Sequence, residues 1–374
     1  MNQKITSRIA PTPSGFLHAG NVYNFLLTYL FTRAFDGKLY LRIDDYDLPR
    51  YRRQYVENIF RVLDMLGIGF DSGPGGVGEF ETKFSSKFRL GTYTNALEKL
   101  EQKGVCYACE CSHSMKNSFK NGIYTRVCAE KNLKFKKDKT AMRLRVLNGA
   151  EILVGQILIN FDALGCGSGG EASLVGGLWG SEQKAQDGTA NGLKNSANLC
   201  GSDGEKPGGE KFSPNATENL NSANLGFLNL TDEATFETEK FSQAQSVNLA
   251  QILGDFVVWK KDDTPAYNLA SLVDDEILGV NLLVRGEDLL ACSAAQKYMA
   301  QMLGYGFENA NFIHHGLLAH GGKKLSKSSS APAVSVADGA KIHYKFAALK
   351  LGLDASKCDT LSNLLEMFKE KFSR

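Results

Sequence analysis

The stretch RIAPTPSGFLHAGN, residues 8–21, joins a short apolar strand to a long segment in which apolar residues recur at helical spacing. Pro11 and Pro13 stiffen the turn between them, and the helix is predicted to begin near His18. Free N–H groups and the helix dipole attract anions to such a terminus, His18 offers a donor, and Gly20 permits close approach of a ligand. The stretch therefore predicts a phosphate site, although a turn of this composition can also serve chain geometry alone.

A second phosphate-type stretch, GGKKLSKSSS at residues 321–330, is flanked by glycines and contains three lysines and four serines. This composition is suited to neutralising a triphosphate. Together the two stretches resemble a class I aminoacyl-tRNA synthetase: HAGN at 18–21 is similar to the family's His-Ile-Gly-His box, and KLSKS at 324–328 is similar to its Lys-Met-Ser-Lys-Ser loop. Asn21 stands where the family has its second histidine, and an asparagine can still donate a hydrogen bond.

The composition describes a chain able to fold around a full core, with 374 residues of which 43% are hydrophobic. No apolar run of about 20 residues exists to span a bilayer, and the start MNQKITSRIAP lacks the apolar core of a signal peptide. We therefore expect a cytoplasmic monomer without a membrane partner. A net charge of +2 requires any RNA-binding surface to be a local patch, and eight cysteines in such a chain favour metal or free thiols over disulfides.

Charged residues follow two predicted strands. KLYLRI at 38–43 is predicted to close a β-α-β unit and to place Asp44 beside the first turn, where a carboxylate could hold an amino group. NLLVRG at 281–286 carries Arg285 near its end, and ligands bind at the carboxyl ends of buried parallel strands. The alternatives are a solvated acidic turn for Asp44 and a structural ion pair for Arg285.

The same residues narrow the resemblance to the glutamate branch of the class. RIAPTPSG at 8–15 matches the branch's opening motif, and RIDDYD at 42–47 matches its Arg-Ile-Glu-Asp-x-Asp, with Asp44 one methylene shorter than the family's glutamate. The resemblance implies three sets of site residues. The glutamate-binding set is Arg8, Ile9, Ala10, Pro11, Thr12, Asp44, Tyr267 and Arg285; the ATP-binding set is His18, Gly20, Asn21 and Lys327; the catalytic set is His18, Lys324 and Lys327.

A group of metal-ligand residue types begins with CYACEC at 106–111 and continues with His113, Tyr124 and Cys128. Four thiols and an imidazole so close together are hard to explain by packing, and zinc is the default metal for soft ligands at such spacing. Inspection alone allows an all-thiolate set of Cys106, Cys109, Cys111 and Cys128. The resemblance instead points to the Cys-x-Cys and Tyr-x-x-x-Cys pattern of the glutamyl-Q tRNA(Asp) synthetase branch, which leaves Cys106 as a buried thiol nearby and falls on Cys109, Cys111, Tyr124 and Cys128.

Three stretches lie outside these motifs. KNLKFKKDK at 131–139 is a basic run that either contacts RNA phosphates or simply solubilises a loop. Residues 165–246 are rich in Gly, Ser, Asn, Glu and Lys without sustained periodicity, and they are predicted to be a flexible insertion. The residues after Ser330 are expected to form short helices, and they are too few for the anticodon-binding domain of a full glutamyl-tRNA synthetase.

These observations predict an α/β protein, a Rossmann-like parallel sheet with an inserted zinc-binding module and a short helical C-terminal segment. The resemblance implies an enzyme that activates L-glutamate with ATP and Mg²⁺ and transfers it to queuosine in tRNA(Asp), with Zn²⁺ in the module. The alternatives are a truncated glutamyl-tRNA synthetase that charges a tRNA 3′ end, and an inactive RNA-binding paralogue. The predicted segments are the catalytic domain in three parts, 1–105, 141–164 and 247–330; the zinc-binding module, 106–140; the insertion, 165–246; and the C-terminal segment, 331–374.

Overall fold

The structure is a computed structural model of the chain, and it describes residues 4–112, 115, 118–157, 242–320, 323–324 and 332–372. His113, Lys327 and residues 165–241 of the predicted insertion lie outside the described residues. Among the described helices, none is both long enough and apolar enough to cross a membrane.

Strands and helices alternate through most of the described chain. The strands are β1 Thr6–Ile9, β2 Lys38–Leu41, β3 Cys106–Cys109, β4 Phe119–Lys120, β5 Ile123–Tyr124, β6 Ala141–Leu144, β7 Glu151–Ile157, β8 Ser242–Asn248, β9 Phe256–Trp259, β10 Leu282–Gly286, β11 Asn311–His315, β12 Ala319–His320 and β13 Lys323–Lys324. The longer helices are α1 Ala19–Ala34, α2 Arg53–Met65, α3 Leu90–Gln102, α4 Tyr267–Ile277, α5 Leu290–Leu303, α6 Lys341–Lys350 and α7 Leu361–Phe372. The short helical turns are Leu48–Arg50, Val77–Glu79, Phe80–Phe84, Ser86–Arg89, Leu249–Ile252, Glu287–Leu289, Gly306–Asn309, Val336–Asp338 and Ala355–Lys357.

Two parallel strand pairs position the site, β1-β2 in a two-stranded sheet and β10-β11 in a four-stranded sheet of order β10-β11-β7-β8. β1 pairs with β2, and β10 pairs with β11, each pair in parallel. The two pairs meet at Asn281, whose N–H donates to the Thr6 carbonyl over 3.0 Å and whose side-chain oxygen accepts from the Thr6 N–H over 2.8 Å. The predicted β-α-β unit is present, with α1 as the crossover from β1 to β2, and α5 connects β10 to β11 in the same way. The carboxyl ends of these strands therefore lie at one edge of the sheet.

Helix α1 lies between this sheet and the C-terminal helices. Its residues Val22, Phe25 and Leu26 are buried, as the helical spacing predicts. Its other side is covered as well, because α6 and α7 pack against it and the ring centroids of Phe31 and Phe368 lie 4.9 Å apart. The helices after residue 340 thus share one hydrophobic core with the first β-α-β unit, which fixes the position of the α1 N-terminus.

A second sheet, of strand order β3-β6-β9, carries the cysteine-rich stretch. β3 pairs with β6 in antiparallel register from Cys106 opposite Leu144 to Cys109 opposite Ala141, and β9 pairs with the other side of β6. β4 and β5 form a small hairpin that brings Tyr124 toward β3. The cysteine-rich stretch is thus anchored on a sheet that is completed by a strand from later in the chain.

The strands β7 and β8 form an antiparallel pair beside β11. The last register partners of this pair are Ile157 and Ser242. Residues 242–246, predicted as the end of the insertion, therefore lie in a strand. The last described residue of β7 and the first of β8 are therefore adjacent.

Candidate active site and metal centre

The predicted phosphate site lies at the N-terminus of α1, which begins at Ala19 with His18 as its N-cap. The His18 Nδ1 accepts from the N–H of Gly20 over 3.1 Å, and the side-chain oxygen of Asn21 accepts from the N–H of His18 over 3.1 Å. A neutral imidazole that accepts at Nδ1 carries its proton on Nε2. Asn21, at the position of the family's second histidine, therefore closes a capping box that holds His18 in place.

Gly20 allows the His18 ring to lie against the first turn of α1. A Cβ added at Gly20 would lie 3.0 Å from the His18 Cε1 and 3.1 Å from the His18 Nδ1. These distances are shorter than ordinary van der Waals contact, so a side chain at position 20 would displace the imidazole. The three predicted ATP-binding residues of this turn are thus structurally interdependent.

The loop after β1 is held against the end of β2. The Arg42 N–H donates to the Ile9 carbonyl over 2.9 Å, and the Asp44 N–H donates to the Pro11 carbonyl over 2.9 Å. The other two loop residues of the predicted glutamate-binding set are half-buried: Ala10 and Thr12. The loop therefore follows the backbone that carries Asp44 and forms one wall of the site.

Three arginines and two aspartates meet at the carboxyl ends of these strands. Arg42 donates through Nε and Nη2 to the two carboxylate oxygens of Asp44, over 2.6 and 3.1 Å. The Arg42 Nη1 and the Arg8 Nε both donate to Oδ1 of Asp275 over 2.8 Å. Each of the five residues is at most 5% exposed, and we call them the charge cluster: Arg8, Arg42, Asp44, Asp275 and Arg285.

The charge cluster has a net charge of +1, because three guanidinium groups face two carboxylates. Burial alone would raise the pKa of Asp275, but the guanidinium groups of Arg42, Arg8 and Arg285 hold it below its ordinary value. Burial raises the pKa of Asp44, and the Arg42 guanidinium opposes that rise. The excess positive charge in a buried position favours an anionic ligand.

Arg285 has two buried donors without a partner. Its Nη1 donates to the Ser293 Oγ over 3.1 Å, whereas its Nε and Nη2 make no hydrogen bond. The Nη2 lies 3.6 Å from the Asp275 Oδ2, which is within ion-pair range but too long for a hydrogen bond. Nε and Nη2 form one edge on which a guanidinium binds a carboxylate through two parallel bonds. Burial lowers the pKa of Arg285 to about 10, so the group stays charged at neutral pH.

The remaining predicted residues lie on different elements. Tyr267 is the first residue of α4, and the centroid of its ring lies 6.4 Å from that of Tyr46. Tyr267 lies beside the charge cluster, because it acts on Arg285 and opposes the lowering of the Arg285 pKa by burial. Lys324 lies in β13, which pairs with β12, so the KLSKS stretch starts from a two-stranded hairpin. Lys327 lies outside the described residues.

Asp274, next to Asp275 in α4, belongs to a second buried ion pair. Arg89 donates to its two carboxylate oxygens over 2.8 and 2.9 Å. The hydroxyls of Tyr46 and Tyr93 donate to the same carboxylate over 2.6 and 2.9 Å. The two neighbouring aspartates thus fix α4 behind the site through different partners.

Sequence reasoning missed Arg42, Asp274 and Asp275 as site residues. The signal that could have found the aspartates is their position directly after the apolar residues Leu272 and Val273 of α4, since a buried carboxylate requires a cation. The signal for Arg42 is its spacing from Asp44, because residues two apart in extended chain lie on the same face.

Four metal-type donors meet beside β3 and β5. The sulfur atoms of Cys109, Cys111 and Cys128 all lie within 4.8 Å of one another. The Tyr124 hydroxyl oxygen lies 3.3 Å from the Cys109 Sγ and 3.6 Å from the Cys111 Sγ. A tetrahedral zinc site with Zn–S bonds of about 2.3 Å has sulfurs about 3.8 Å apart, so these four donors fit such an ion.

Cys106 lies on the opposite face of β3 from these donors. Successive side chains of a strand point to opposite faces, and Cys106 packs with Ala108 against the larger core while Cys109 packs with Tyr107 and Tyr124. Burial raises the pKa of the Cys106 thiol to about 12. The geometry therefore separates Cys106 from the donor set, in contrast to the all-thiolate alternative.

Asp255 ties the cysteine-rich stretch to the rest of the fold. Its carboxylate accepts from the Tyr107 hydroxyl over 2.7 Å and pairs with Arg126 over 2.9 Å. Arg143 donates to its backbone carbonyl over 2.8 Å and places its guanidinium carbon 3.8 Å from the Tyr124 ring centroid. These contacts hold the tyrosine of the donor set in a fixed orientation.

Most of the described cysteines are free, as their number in such a chain predicts. The free residues are Cys106, Cys109, Cys111, Cys128 and Cys358. Cys292, buried in α5, is disulfide-bonded, so the expectation of metal or free thiols is wrong for this residue.

The sequence matches the family of "tRNA synthetases class I (E and Q), catalytic domain" over residues 4–144 and 236–349. The matched ranges contain the α1 N-terminus, the charge cluster and the four metal-type donors. The gap between the two ranges overlaps the predicted insertion.

Similar curated proteins carry two names. A glutamate–tRNA ligase from Clostridium novyi (strain NT) is 26% identical over 326 residues, which is 87% of this chain and 51% of that protein. A glutamyl-Q tRNA(Asp) synthetase from Pseudomonas putida (strain GB-1) is 26% identical over 336 residues, which is 90% of this chain and 81% of that protein. The chain therefore spans about half the length of the glutamate–tRNA ligases that it matches.

Two solved structures share the fold. The glutamate–tRNA synthetase of Elizabethkingia anophelis aligns with a TM-score of 0.52 at 18% identity, over 88% of this chain and 53% of that one. A glutamate tRNA ligase from Elizabethkingia meningosepticum, solved in complex with its amino acid, aligns with a TM-score of 0.57 at 16% identity, over 98% of this chain and 66% of that one. Because the family match covers most of the chain, the protein belongs to the catalytic-domain family of the class I tRNA synthetases for E and Q, which are ligases.

Proposed function

We propose that the protein activates L-glutamate with ATP and transfers the glutamyl group to the queuosine base of tRNA(Asp). The observation that carries this proposal is the buried edge of Arg285, whose Nε and Nη2 have no hydrogen-bond partner inside a cluster of net charge +1. Buried donors are nearly always satisfied in folded proteins, so a carboxylate is the expected partner of this edge. Asn24 donates to the Val284 carbonyl over 3.2 Å, which brings α1, the helix of the proposed phosphate site, beside the same strand end.

Glutamate matches the charges of the site because it carries two carboxylates and one ammonium group. Arg285 and Arg8 are the cations assigned to the carboxylates, and Tyr267 adds a hydroxyl donor. Asp44 is assigned to the ammonium group. The oxygens of Asp44 already accept from Arg42, but each carboxylate oxygen has room for a second donor.

In the activation step, a carboxylate oxygen of glutamate attacks the α-phosphorus of ATP. A phosphorus–oxygen bond forms, the bond to pyrophosphate breaks, and pyrophosphate leaves with the electron pair. The His18 Nε2–H and the positive end of the α1 dipole, at the turn formed by Gly20 and Asn21, attract phosphate oxygens, and Lys324 and Lys327 neutralise the charge that builds in the transition state. Mg²⁺, when bound, supplies further neutralisation on the leaving phosphates.

In the transfer step, a hydroxyl of the queuosine base attacks the carbonyl carbon of the mixed anhydride. An ester bond forms, AMP leaves, and the hydroxyl proton passes to solvent. Two observations support this acceptor: similar proteins carry the name glutamyl-Q tRNA(Asp) synthetase, and the branch's Cys-x-Cys and Tyr-x-x-x-Cys residues lie together in the structure.

A second candidate function is the charging of a tRNA 3′ end with glutamate. It is supported by the glutamate–tRNA ligases that match at the same identity as the glutamyl-Q enzymes. Both functions share the activation step, and they differ only in the hydroxyl that accepts the glutamyl group.

Two assays test the proposal. Glutamate-dependent ATP–pyrophosphate exchange, measured with and without tRNA, tests the activation step. Charging of tRNA(Asp) that carries or lacks queuosine then tests the acceptor, with tRNA(Asp) that lacks its 3′-terminal adenosine as the control that removes the 3′ acceptor and leaves queuosine intact. The expected result is glutamate on queuosine-containing tRNA(Asp) only; charging that requires an intact 3′ end instead would establish the second candidate.

We further propose that the four metal-type donors bind one Zn²⁺ per chain. Because Tyr124 supplies one corner of the tetrahedron, Tyr124→Phe is expected to lower the zinc content after dialysis against a chelator, whereas Cys106→Ser keeps it. Elemental analysis of the purified variants measures both.

The two variants form a matched pair, because each changes one candidate donor atom of the same module: Tyr124→Phe removes the hydroxyl oxygen, and Cys106→Ser replaces the sulfur with oxygen. Retention of zinc by Tyr124→Phe together with its loss in Cys106→Ser would show that the all-thiolate set binds the metal. Absence of zinc from the unmodified protein purified without chelator would contradict the metal proposal itself.

A further inference from the structure

Ser293 and His314 surround the end of Arg285 that faces away from the charge cluster. We propose that they are positioning residues, which hold the Arg285 guanidinium so that its Nε and Nη2 edge stays available to the substrate carboxylate. The inference rests on the proposed function, because that function assigns the carboxylate to Arg285. It adds two residues that take no part in the catalytic and binding sets described above.

The three side chains meet across the parallel sheet and the helix that covers it. Arg285 and His314 are register partners on β10 and β11, so their side chains lie on the same face. Ser293 comes from the first turn of α5, and its Oγ lies 3.1 Å from the Arg285 Nη1 and 3.0 Å from the His314 Nε2. Phe312, two residues before His314, stacks with the imidazole at 5.8 Å and lies 5.5 Å from the guanidinium carbon.

The hydroxyl of Ser293 fixes one end of the guanidinium. It accepts from the Arg285 Nη1, and it is held in turn by the His314 ring and by the Leu289 carbonyl, 3.2 Å away. All three groups are buried, so this contact has no competition from bulk water. Since Nη1 is occupied, the donors that remain are Nε and Nη2, which lie on the edge suited to a carboxylate.

The position of Asp275 explains why the Arg285 guanidinium must be held by Ser293. Its Oδ2 is buried without a hydrogen-bond partner, and it lies 3.6 Å from the Arg285 Nη2. A small rotation of the guanidinium would bring the two within hydrogen-bond distance and would satisfy both groups inside the protein. The Ser293 contact keeps Arg285 just short of that internal pair, so the donors stay free for a ligand at some cost in stability.

This arrangement predicts opposite effects on binding and on stability. Ser293→Ala frees the guanidinium to pair with Asp275, so the KM for glutamate in pyrophosphate exchange should rise about 10-fold or more, as expected for a lost hydrogen bond to a charged group. The KM for ATP should stay unchanged, and the melting temperature should stay equal or rise. A serine with an ordinary structural role would instead lower the melting temperature when removed.

A pair of substitutions at His314 provides the second measurement. His314→Gln can still bond to Ser293 from the position of Nε2, whereas His314→Leu cannot, so only His314→Leu should raise the KM for glutamate. If Ser293→Ala fails to fold, these two His314 variants alone test whether the contacts with Ser293 position Arg285. Ser356→Ala, at an exposed serine remote in sequence from the site, is the matched control for the loss of one hydroxyl.

Each outcome separates this inference from the proposed function. An unchanged KM for glutamate in both Ser293→Ala and His314→Leu, with exchange intact in the unmodified protein, would overturn the inference and leave the proposed function standing. Equal rises in the KM values for glutamate and ATP with a lower melting temperature would likewise overturn it in favour of a structural role. An unmodified protein that shows no glutamate-dependent exchange would overturn the proposed function, and this inference with it.

Discussion

A lysine in place of Arg285 is expected to lower kcat/KM for glutamate in ATP–pyrophosphate exchange by about 30-fold, since a lost hydrogen bond to a charged group costs about 1.5–3 kcal/mol. Lysine keeps the positive charge but lacks the planar fork. It therefore cannot offer the two parallel donors that Nε and Nη2 provide. Steady-state exchange with glutamate varied at saturating ATP measures the effect.

The matched control is Arg61→Lys, which makes the same chemical change at an exposed position. The Arg61 side chain lies on α2, is 61% exposed and has no buried partner. Its exchange kinetics should equal those of the unmodified protein. Glutamine should be a poor substrate for the unmodified protein, since its amide cannot replace a carboxylate next to the cations of the charge cluster. Normal kinetics of Arg285→Lys, or equal use of glutamine and glutamate, would show that the carboxylate binds elsewhere.

Local patterns were sufficient to predict the N-terminus of α1, at which the phosphate site is proposed. The end of β1, the turn and the first residue of α1 are all specified within a stretch of the chain in which each residue acts on its neighbours. The capping box that joins His18 to Asn21 is an example, because both hydrogen bonds connect residues within one helical turn. Such features follow from sequence alone because no distant partner decides them.

The charge cluster could be predicted only in part, because its partners are far apart in sequence. Arg8 on β1 and Asp275 on α4 are 267 residues apart in the chain, and only the packing of α4 beside β1 brings them together. Two adjacent aspartates in a helix are usually read as exposed, yet here both are buried. Asp44, assigned to an amino group, also proves to have a structural partner in Arg42.

For the metal-type donors, the sequence spacing was informative but did not decide the complete ligand set. The spacing of Cys109, Cys111 and Cys128 identified the group, but spacing alone left Cys106 as an equal alternative. The alternation of side chains between the two faces of a strand separates Cys106 from Cys109. This argument applies only once β3 is known to span Cys106–Cys109. A strand boundary, which sequence patterns locate poorly, was therefore the missing fact.

The second large effect is expected from Asp275→Asn, which should lower the free energy of unfolding by about 3–5 kcal/mol. The carboxylate of Asp275 faces Arg8, Arg42 and Arg285, and its removal leaves three buried guanidinium groups with one carboxylate, that of Asp44. Asparagine has nearly the same shape, so the loss reports charge rather than packing. Urea denaturation at pH 7 measures it, and Asp64→Asn, at an exposed position of α2, is the matched control.

The pH dependence of this difference tests the same assignment. The three guanidinium groups hold the pKa of Asp275 below its ordinary value despite burial, so its stabilising effect is complete above about pH 4, the pKa of an unfolded aspartate, and is lost as the pH falls through the lowered pKa. The gap between the unmodified protein and Asp275→Asn should therefore be constant from pH 8 to about pH 5 and should narrow in more acidic solution. A gap that stays the same at every pH would assign the loss to packing, and a loss no larger than that of Asp64→Asn would show that the buried arginines do not depend on this carboxylate.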